Sequence, residues 1–205
     1  MRGHRRRRKY LEFCKSKICE IRKSLIFESF LYQSGLSYGK VERFVSGSYE
    51  AVRQWYHALS EFFEPREVER QVVAVDETKM KVDGEQVYVW AAVDVETFEI
   101  LHVDVSPGRS SLDALLFLRT VMSRCRGKPL VKVDPGPWYN WALDLLDCDY
   151  EKETFGERSL SESVFSLFKY RTLLFWKEFP YRSSVKSTQR WLRSYSALHN
   201  EVVLS

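Results

Sequence analysis

The chain has 205 residues, 44% of them apolar and 15% aromatic, with a formal net charge of +4. That is enough for one domain of ordinary size plus a small one, with a packed core, and it excludes wholesale disorder. No run of about 18 uncharged apolar residues occurs and no apolar signal region follows the basic N-terminus, so neither a membrane span nor export is expected.

The charge is uneven. Residues 1–24 hold ten Lys or Arg against two Glu, a local +8, which leaves −4 on the other 181 residues. Arg2, Arg5, Arg6, Arg7, Arg8 and Lys9 form a basic arm, the footprint expected for a polyanion partner. Cys14, Cys19, Cys125 and Cys148 are too few and too scattered for a disulfide framework. Cys14 and Cys19 also lack a second pair at zinc-finger spacing, so reduced thiols and a cytoplasmic chain are expected.

Residues 25–60 read as three short helices. Phe27, Phe30 and Leu31 are spaced for one apolar face, and Gly35 ends the run. Ser37 can cap a second helix that buries Val41, Phe44 and Val45. After Gly47-Ser48 a third helix carries Val52, Trp55, Tyr56 and Leu59 at i, i+3, i+4, i+7. This is the outline of a helix-turn-helix, with Glu50, Arg53 and Gln54 facing outward, where Arg and Gln can grip phosphates or read base edges. A helical module that only packs on a neighbour remains the competing reading.

Glu64-Pro65-Arg66-Glu67 marks a boundary, after which the periodicity changes. Val72–Val75 predicts a strand buried on both faces and ending at Asp76. Asp83-Gly84 predicts a hairpin turn, and strands follow over Val87–Val93 and Ile100–Val105. A helix over Ser110–Cys125 offers Leu112, Leu115, Leu116 and Leu118 as its apolar surface. A fourth strand, Leu130–Val133, runs into Asp134, and Pro135-Gly136-Pro137 turns the chain into a helix over Trp138–Leu146. A short strand near Tyr150 and helices over Glu157–Phe175 and Ser184–Asn200 complete the order. The expected architecture is α/β, a mixed five-stranded sheet with three antiparallel strands followed by parallel crossovers. The expected division is an arm at 1–24, a helical module at 25–62 and an α/β domain at 68–205.

An Asp at the end of a buried strand either begins a turn or has a partner, since burying it alone is costly. Asp76 and Asp134 each end a strand, and if those strands are neighbours both side chains emerge at one sheet edge, where α/β sheets bind ligands. Glu162 points away from the apolar face of its helix, Leu160, Val164, Leu167 and Phe168. Arg158 shares its stripe, and Lys169, seven residues on, falls within about 20° of it. Glu162 either pairs with these cations at the surface or joins the two Asp. Three carboxylates suit a hard cation such as Mg²⁺, and a pair of ions about 3.5–4 Å apart can drive phosphoryl transfer.

Four segments together resemble the DDE transposases of prokaryotic insertion sequences, in the short class with an N-terminal helix-turn-helix. They are Gly35-Leu36-Ser37-Tyr38 through Trp55, Ala74-Val75-Asp76-Glu77-Thr78, Asp134-Pro135-Gly136-Pro137-Trp138-Tyr139, and Arg158-Ser159-Leu160-Ser161-Glu162 through Thr172. The acidic residues are spaced by 58 and 28. Pro135 stands where the family often has Lys, and Ser159 where Asn is frequent; neither removes a ligand.

The resemblance implies a ribonuclease-H-like, integrase-like catalytic domain that binds Mg²⁺ or Mn²⁺, two ions, through Asp76, Asp134 and Glu162. It implies metal-dependent strand cleavage at element ends and transfer of the 3′-hydroxyl into target DNA, without a covalent protein–DNA intermediate. Double-stranded DNA, both terminal repeats and target, is the implied partner. Lys169, Arg158, Arg171, Arg53, Gln54, Arg5, Arg6, Arg7 and Arg8 are the implied DNA contacts, on at least a homodimer associated with the nucleoid. An inactive transposase-derived DNA-binding protein and another ribonuclease-H-like nuclease are the alternatives. Glu77 is expected to face away from the site.

Overall fold

The computed structural model describes residues 26–45, 47–152, 166 and 183–205. The basic arm with Arg5–Arg8, and Arg158, Glu162, Lys169 and Arg171 lie outside the described residues. The chain divides into two compact units, Met1–His57 and Ala58–Ser205.

In the first unit residues 26–33 are helical (α1), followed by α2, Tyr38–Val41, and α3, Tyr49–Ala58. Ser37 caps α2 by accepting the Lys40 N–H, as its position predicts. The inward face of α1 differs from the expectation. Phe27 and Phe30 are exposed, while Glu28, Ser29 and Tyr32 are buried. Phe44 is exposed as well, although Val41 is fully buried. Tyr32 decides this: its ring stacks on Tyr38 at 3.9 Å and meets the edge of Tyr56 at 4.6 Å, so α1 is turned to insert a tyrosine. A β-carbon on Gly47 would lie 2.7 Å from the Trp55 ring, so a larger residue in the turn before α3 would have to displace that ring.

In the second unit a 3₁₀ turn, Leu59–Phe62, leads into β1, Val68–Glu69, and then β2, Val72–Val82. β3 spans Glu85–Asp94, β4 Ile100–Ser106, α4 Ser111–Met122, β5 Cys125–Arg126, β6 Leu130–Val133, α5 Pro137–Leu145 and β7 Tyr150–Lys152; α6, Val185–Val203, closes the chain. β1 and β5 form a small parallel pair. The other five strands make one sheet in the order β4-β3-β2-β6-β7, with β2, β3 and β4 antiparallel and β6 and β7 parallel additions. This is the mixed five-stranded sheet that the element order implies, in the ribonuclease-H-like arrangement that the resemblance implies.

β2 corrects one expectation: it does not stop at Asp76. Antiparallel pairing with β3 continues from Val73↔Asp94 to Val82↔Glu85, and Asp76 sits mid-strand opposite Ala91. The continuous apolar run ends at Asp76, but a half-exposed strand carries on, with Met80 and Val82 in and Lys79 and Lys81 out. Asp83 and Gly84 then turn the chain with φ of 52° and 85°, the left-handed pair that a two-residue hairpin requires.

Val73 and Val75 of β2, Trp90 and Ala92 of β3, and Val131 and Val133 of β6 face a core closed by α4 and α5. α4 meets this core through Ala114, Phe117, Leu118 and Val121; Leu112 and Leu116, expected inside, are exposed. The stripe has the predicted period but is rotated, because Phe117 packs between Trp90 and His102. α6 packs on β4 and the 3₁₀ turn. The Asn200 side chain accepts from the Ile100 N–H and donates to the Ile100 carbonyl, 2.8 and 2.9 Å. Of the helix expected over 157–175, Ser166 alone is described; it is helical and exposed.

Candidate metal centre

β6 is short and pairs with β2 only over Val72↔Leu130, Val73↔Val131 and Ala74↔Lys132. Carried two residues further, that register sets Asp134 beside Asp76, just where the ladder ends. Parallel neighbours in register point to the same side, so the two carboxylates share one sheet edge. One oxygen from each of Asp76, Glu77 and Asp134 lies within 4.8 Å of the others. All three residues are half-buried. Two of the three sequence-predicted ligands therefore come together, and Glu162 lies outside the described residues.

Local structure holds each acid. The Asp76 Oδ1 accepts the Glu77 N–H at 2.9 Å. The Asp134 Oδ1 accepts the Gly136 N–H at 3.0 Å. A β-carbon on Gly136 would sit 2.2 Å from the Trp138 ring and 2.8 Å from the Asp134 Oδ1, so the turn after Asp134 closes around a glycine. Pro137 then starts α5 at a position where its missing N–H costs nothing.

Glu77, expected to face away, corrects the sequence reading. Strand alternation does place it on the core face with Val73 and Val75, yet its longer side chain brings a carboxylate oxygen back to the two Asp. Its side chain is 3% exposed. Both its oxygens have partners: Arg109 donates to Oε1 at 3.0 Å and the Tyr139 hydroxyl to Oε2 at 2.5 Å. Burial, with the Asp134 and Asp76 charges, pushes the Glu77 carboxyl up, against the pull of the Tyr139 and Arg109 hydrogen bonds. Burial also raises Tyr139 well above the ordinary phenol range, so it is a fixed donor.

Arg109 precedes the Ser110 cap of α4, and its guanidinium lies 3.5 Å from the Trp138 ring centroid and 5.2 Å from that of Tyr88. Sequence reasoning missed Arg109, Tyr139, Gly136 and the inclusion of Glu77. The pattern Asp-Pro-Gly-Pro-Trp-Tyr did hint at a tight turn after Asp134. Nothing in the local sequence ties Arg109 to a carboxylate 32 residues earlier.

In the first unit the predicted contacts Arg53 and Gln54 are exposed, as expected, but both donate to Glu50. Arg53 does so at 2.6 and 2.8 Å and Gln54 at 3.0 Å. These bonds hold the Glu50 carboxyl down at about 2. Among the described residues no helix is long and apolar enough to cross a membrane.

Residues 70–199 match the family model for the DDE domain of IS240-type transposases. An uncharacterised protein of Methanocaldococcus jannaschii is 40% identical over 206 residues, covering 94% of this chain and 96% of its own. An uncharacterised Aquifex aeolicus protein is 39% identical over 54 residues, 26% of this chain and 45% of its own. Among solved structures, the catalytic core of BIV integrase is 13% identical at a TM-score of 0.42, over 58% of this chain and 80% of that one. The HTLV-2 integrase core in complex with magnesium is 13% identical at 0.44, over 62% and 85%. The family match spans well over half of the chain and includes both aspartates of the sheet edge, and this chain belongs to the DDE transposases of insertion sequences.

Proposed function

We propose that the chain cuts DNA at the ends of its element and joins the freed 3′-hydroxyl to target DNA, using divalent metal held by Asp76, Asp134 and Glu162. The observation that carries this reading is the in-register pair Asp76 and Asp134, with oxygens within 4.8 Å, in a chain of the DDE family. Oxygen-only donors at that separation fit Mg²⁺ or Mn²⁺, one ion or two. When bound, such ions activate a water or hydroxyl and neutralise charge at the phosphate. The chain's own residues fix the geometry. The Gly136 N–H holds one oxygen of Asp134 and leaves Oδ2 for a ligand. The Glu77 N–H holds the Asp76 Oδ1. Asp76 is preferred to Glu77 as ligand because both Glu77 oxygens are already engaged.

Residues 1–24 would grip phosphates as a basic arm, and residues 25–62 would bind the terminal repeats as a helix-turn-helix, ahead of a catalytic domain at 68–205. Arg53 and Gln54 would exchange Glu50 for DNA, and Arg158, Lys169 and Arg171 would hold the cut end. Processing two ends together calls for a homodimer or larger assembly on the DNA.

The test is strand cutting, in Mg²⁺ or Mn²⁺, of a labelled duplex carrying the DNA that flanks the reading frame. Asp134→Asn keeps an oxygen for the Gly136 N–H but loses the charge. Its cutting is expected to fall by at least about 10²-fold, the scale of a lost transition-state contact. Equal cutting by both proteins sinks the assignment; tight binding without cutting by wild type supports an inactive, DNA-binding derivative.

A further inference from the structure

We propose that Arg109 is a substrate-contacting residue that takes a DNA phosphate beside the carboxylate cluster, a role that rests on the DNA-processing reading above. Its position is the first argument. The guanidinium donates to Glu77, whose carboxylate belongs to the group of oxygens within 4.8 Å that includes Asp76 and Asp134. A phosphate drawn to ions at those aspartates would arrive next to it.

The second argument is unused donor capacity. A guanidinium carries five N–H groups in a rigid fork suited to phosphate. Arg109 spends one on Glu77, and among the described residues its other N–H groups have no hydrogen-bond partner. Its side chain is 30% exposed, against 3% for Glu77. By contrast the fully buried Arg70 uses its donors on Asp94, Glu99 and the Arg66 and Arg124 carbonyls, and so has a purely internal role.

The third argument is pre-organisation. The Trp138 ring at 3.5 Å and the Tyr88 ring at 5.2 Å fix the guanidinium plane, so little side-chain entropy remains to be lost on binding. Trp138 itself is placed by the Gly136 turn that also holds Asp134, so the arginine and the metal-binding aspartate are set by one structural element.

The competing role for Arg109 is to neutralise Glu77 and nothing more. A double-substitution cycle separates the two, read as affinity of the full chain for a labelled 20-base-pair duplex in Ca²⁺ across a salt series. Arg109→Gln is compared with wild type, and Glu77→Gln/Arg109→Gln with Glu77→Gln. A phosphate contact predicts that the arginine change weakens binding in both backgrounds, by roughly tenfold at low salt, and lowers the slope of log affinity against log salt by about 0.9. Arg109→Lys is expected to keep most of that slope. A neutralising role predicts a loss in the wild-type background alone, and equal affinities and slopes for Glu77→Gln and Glu77→Gln/Arg109→Gln overturn the proposal. Where Arg109→Gln fails to fold, the Glu77→Gln pair, in which no buried carboxylate is left without its cation, carries the comparison. Strand cutting plays no part in this readout. Failure of the cleavage reading therefore shows as absent cutting with the slope difference intact, and failure of the Arg109 assignment as equal slopes.

Discussion

Asp134 shows how much a single residue's role depends on its neighbours. Its oxygen is held by the Gly136 N–H, and the turn is so tight that a β-carbon at Gly136 would lie 2.2 Å from the Trp138 ring and 2.8 Å from the Asp134 Oδ1. Gly136→Ala must therefore displace the indole, the carboxylate or both. The expected outcome is weaker metal binding, by roughly tenfold in a Mn²⁺ titration on the scale of lost outer-shell support. Melting temperature should change only modestly, because the turn lies at the sheet edge and not in the core. An unchanged Mn²⁺ affinity would show that the turn does not position Asp134. Glu77 makes the complementary point. The sequence reading turned it away from the site, and its partners, Arg109 and Tyr139, show that it stays close to the aspartates with its oxygens spent on support.

At the scale of elements, the strand that carries Asp76 is anchored from behind by Arg70. This side chain is fully buried, at 0% exposure, and bonds Asp94 at the end of β3 at 2.6 Å and Glu99 before β4 at 2.8 Å. Asp94 in turn accepts the N–H groups of Glu96 and Thr97 and so shapes the β3–β4 turn. The start of β2 and the hairpin beside it are thus tied through one cation. Arg70→Ala would strand two buried carboxylates, and a loss of about 3–5 kcal/mol in denaturant unfolding is expected. A loss under about 1 kcal/mol would mean that water reaches these acids. The helices follow a plainer rule: Ser110 and Ser184, both read as helix starts, cap α4 and α6 with capping boxes.

Across the whole second unit, burial shapes the response to acid. His102 of β4 stacks on Phe117 with centroids 5.2 Å apart, and burial, together with the Arg124 and Arg193 charges, lowers it from 6.5 to about 4. Burial lowers His199, whose ring bonds the Phe98 carbonyl, in the same direction. A histidine depressed in the folded state adds stability that is fully present above its unfolded pKa and is lost as pH falls from about 6.5 toward 4. On the order of 3 kcal/mol is at stake for His102 by pH 4. Unfolding at pH 7 and pH 5 should show a steeper acid loss for wild type than for His102→Leu; parallel profiles would refute the assignment.

Among the described residues most element types and their order were legible in the sequence because hydrophobic periodicity and turn chemistry are local: Val-rich strands, Asp83-Gly84, serine helix starts and the Asp134 turn all read correctly, while the short β1–β5 pair, which has no such pattern, did not. Which face of α1 and α4 turns inward was not, because Tyr32 and Phe117 win those places through ring contacts with distant residues. The extent of β2 beyond Asp76 was set by pairing with β3, and a strand's length depends on its partner. The sequence by itself determined that two aspartates, 58 residues apart, each follow a Val-rich apolar run, where a carboxylate needs a partner. The tertiary structure alone decided that parallel register sets them side by side and that Arg109, Tyr139 and Glu77 close around them. Register and side-chain convergence arise from long-range packing, which no local pattern encodes.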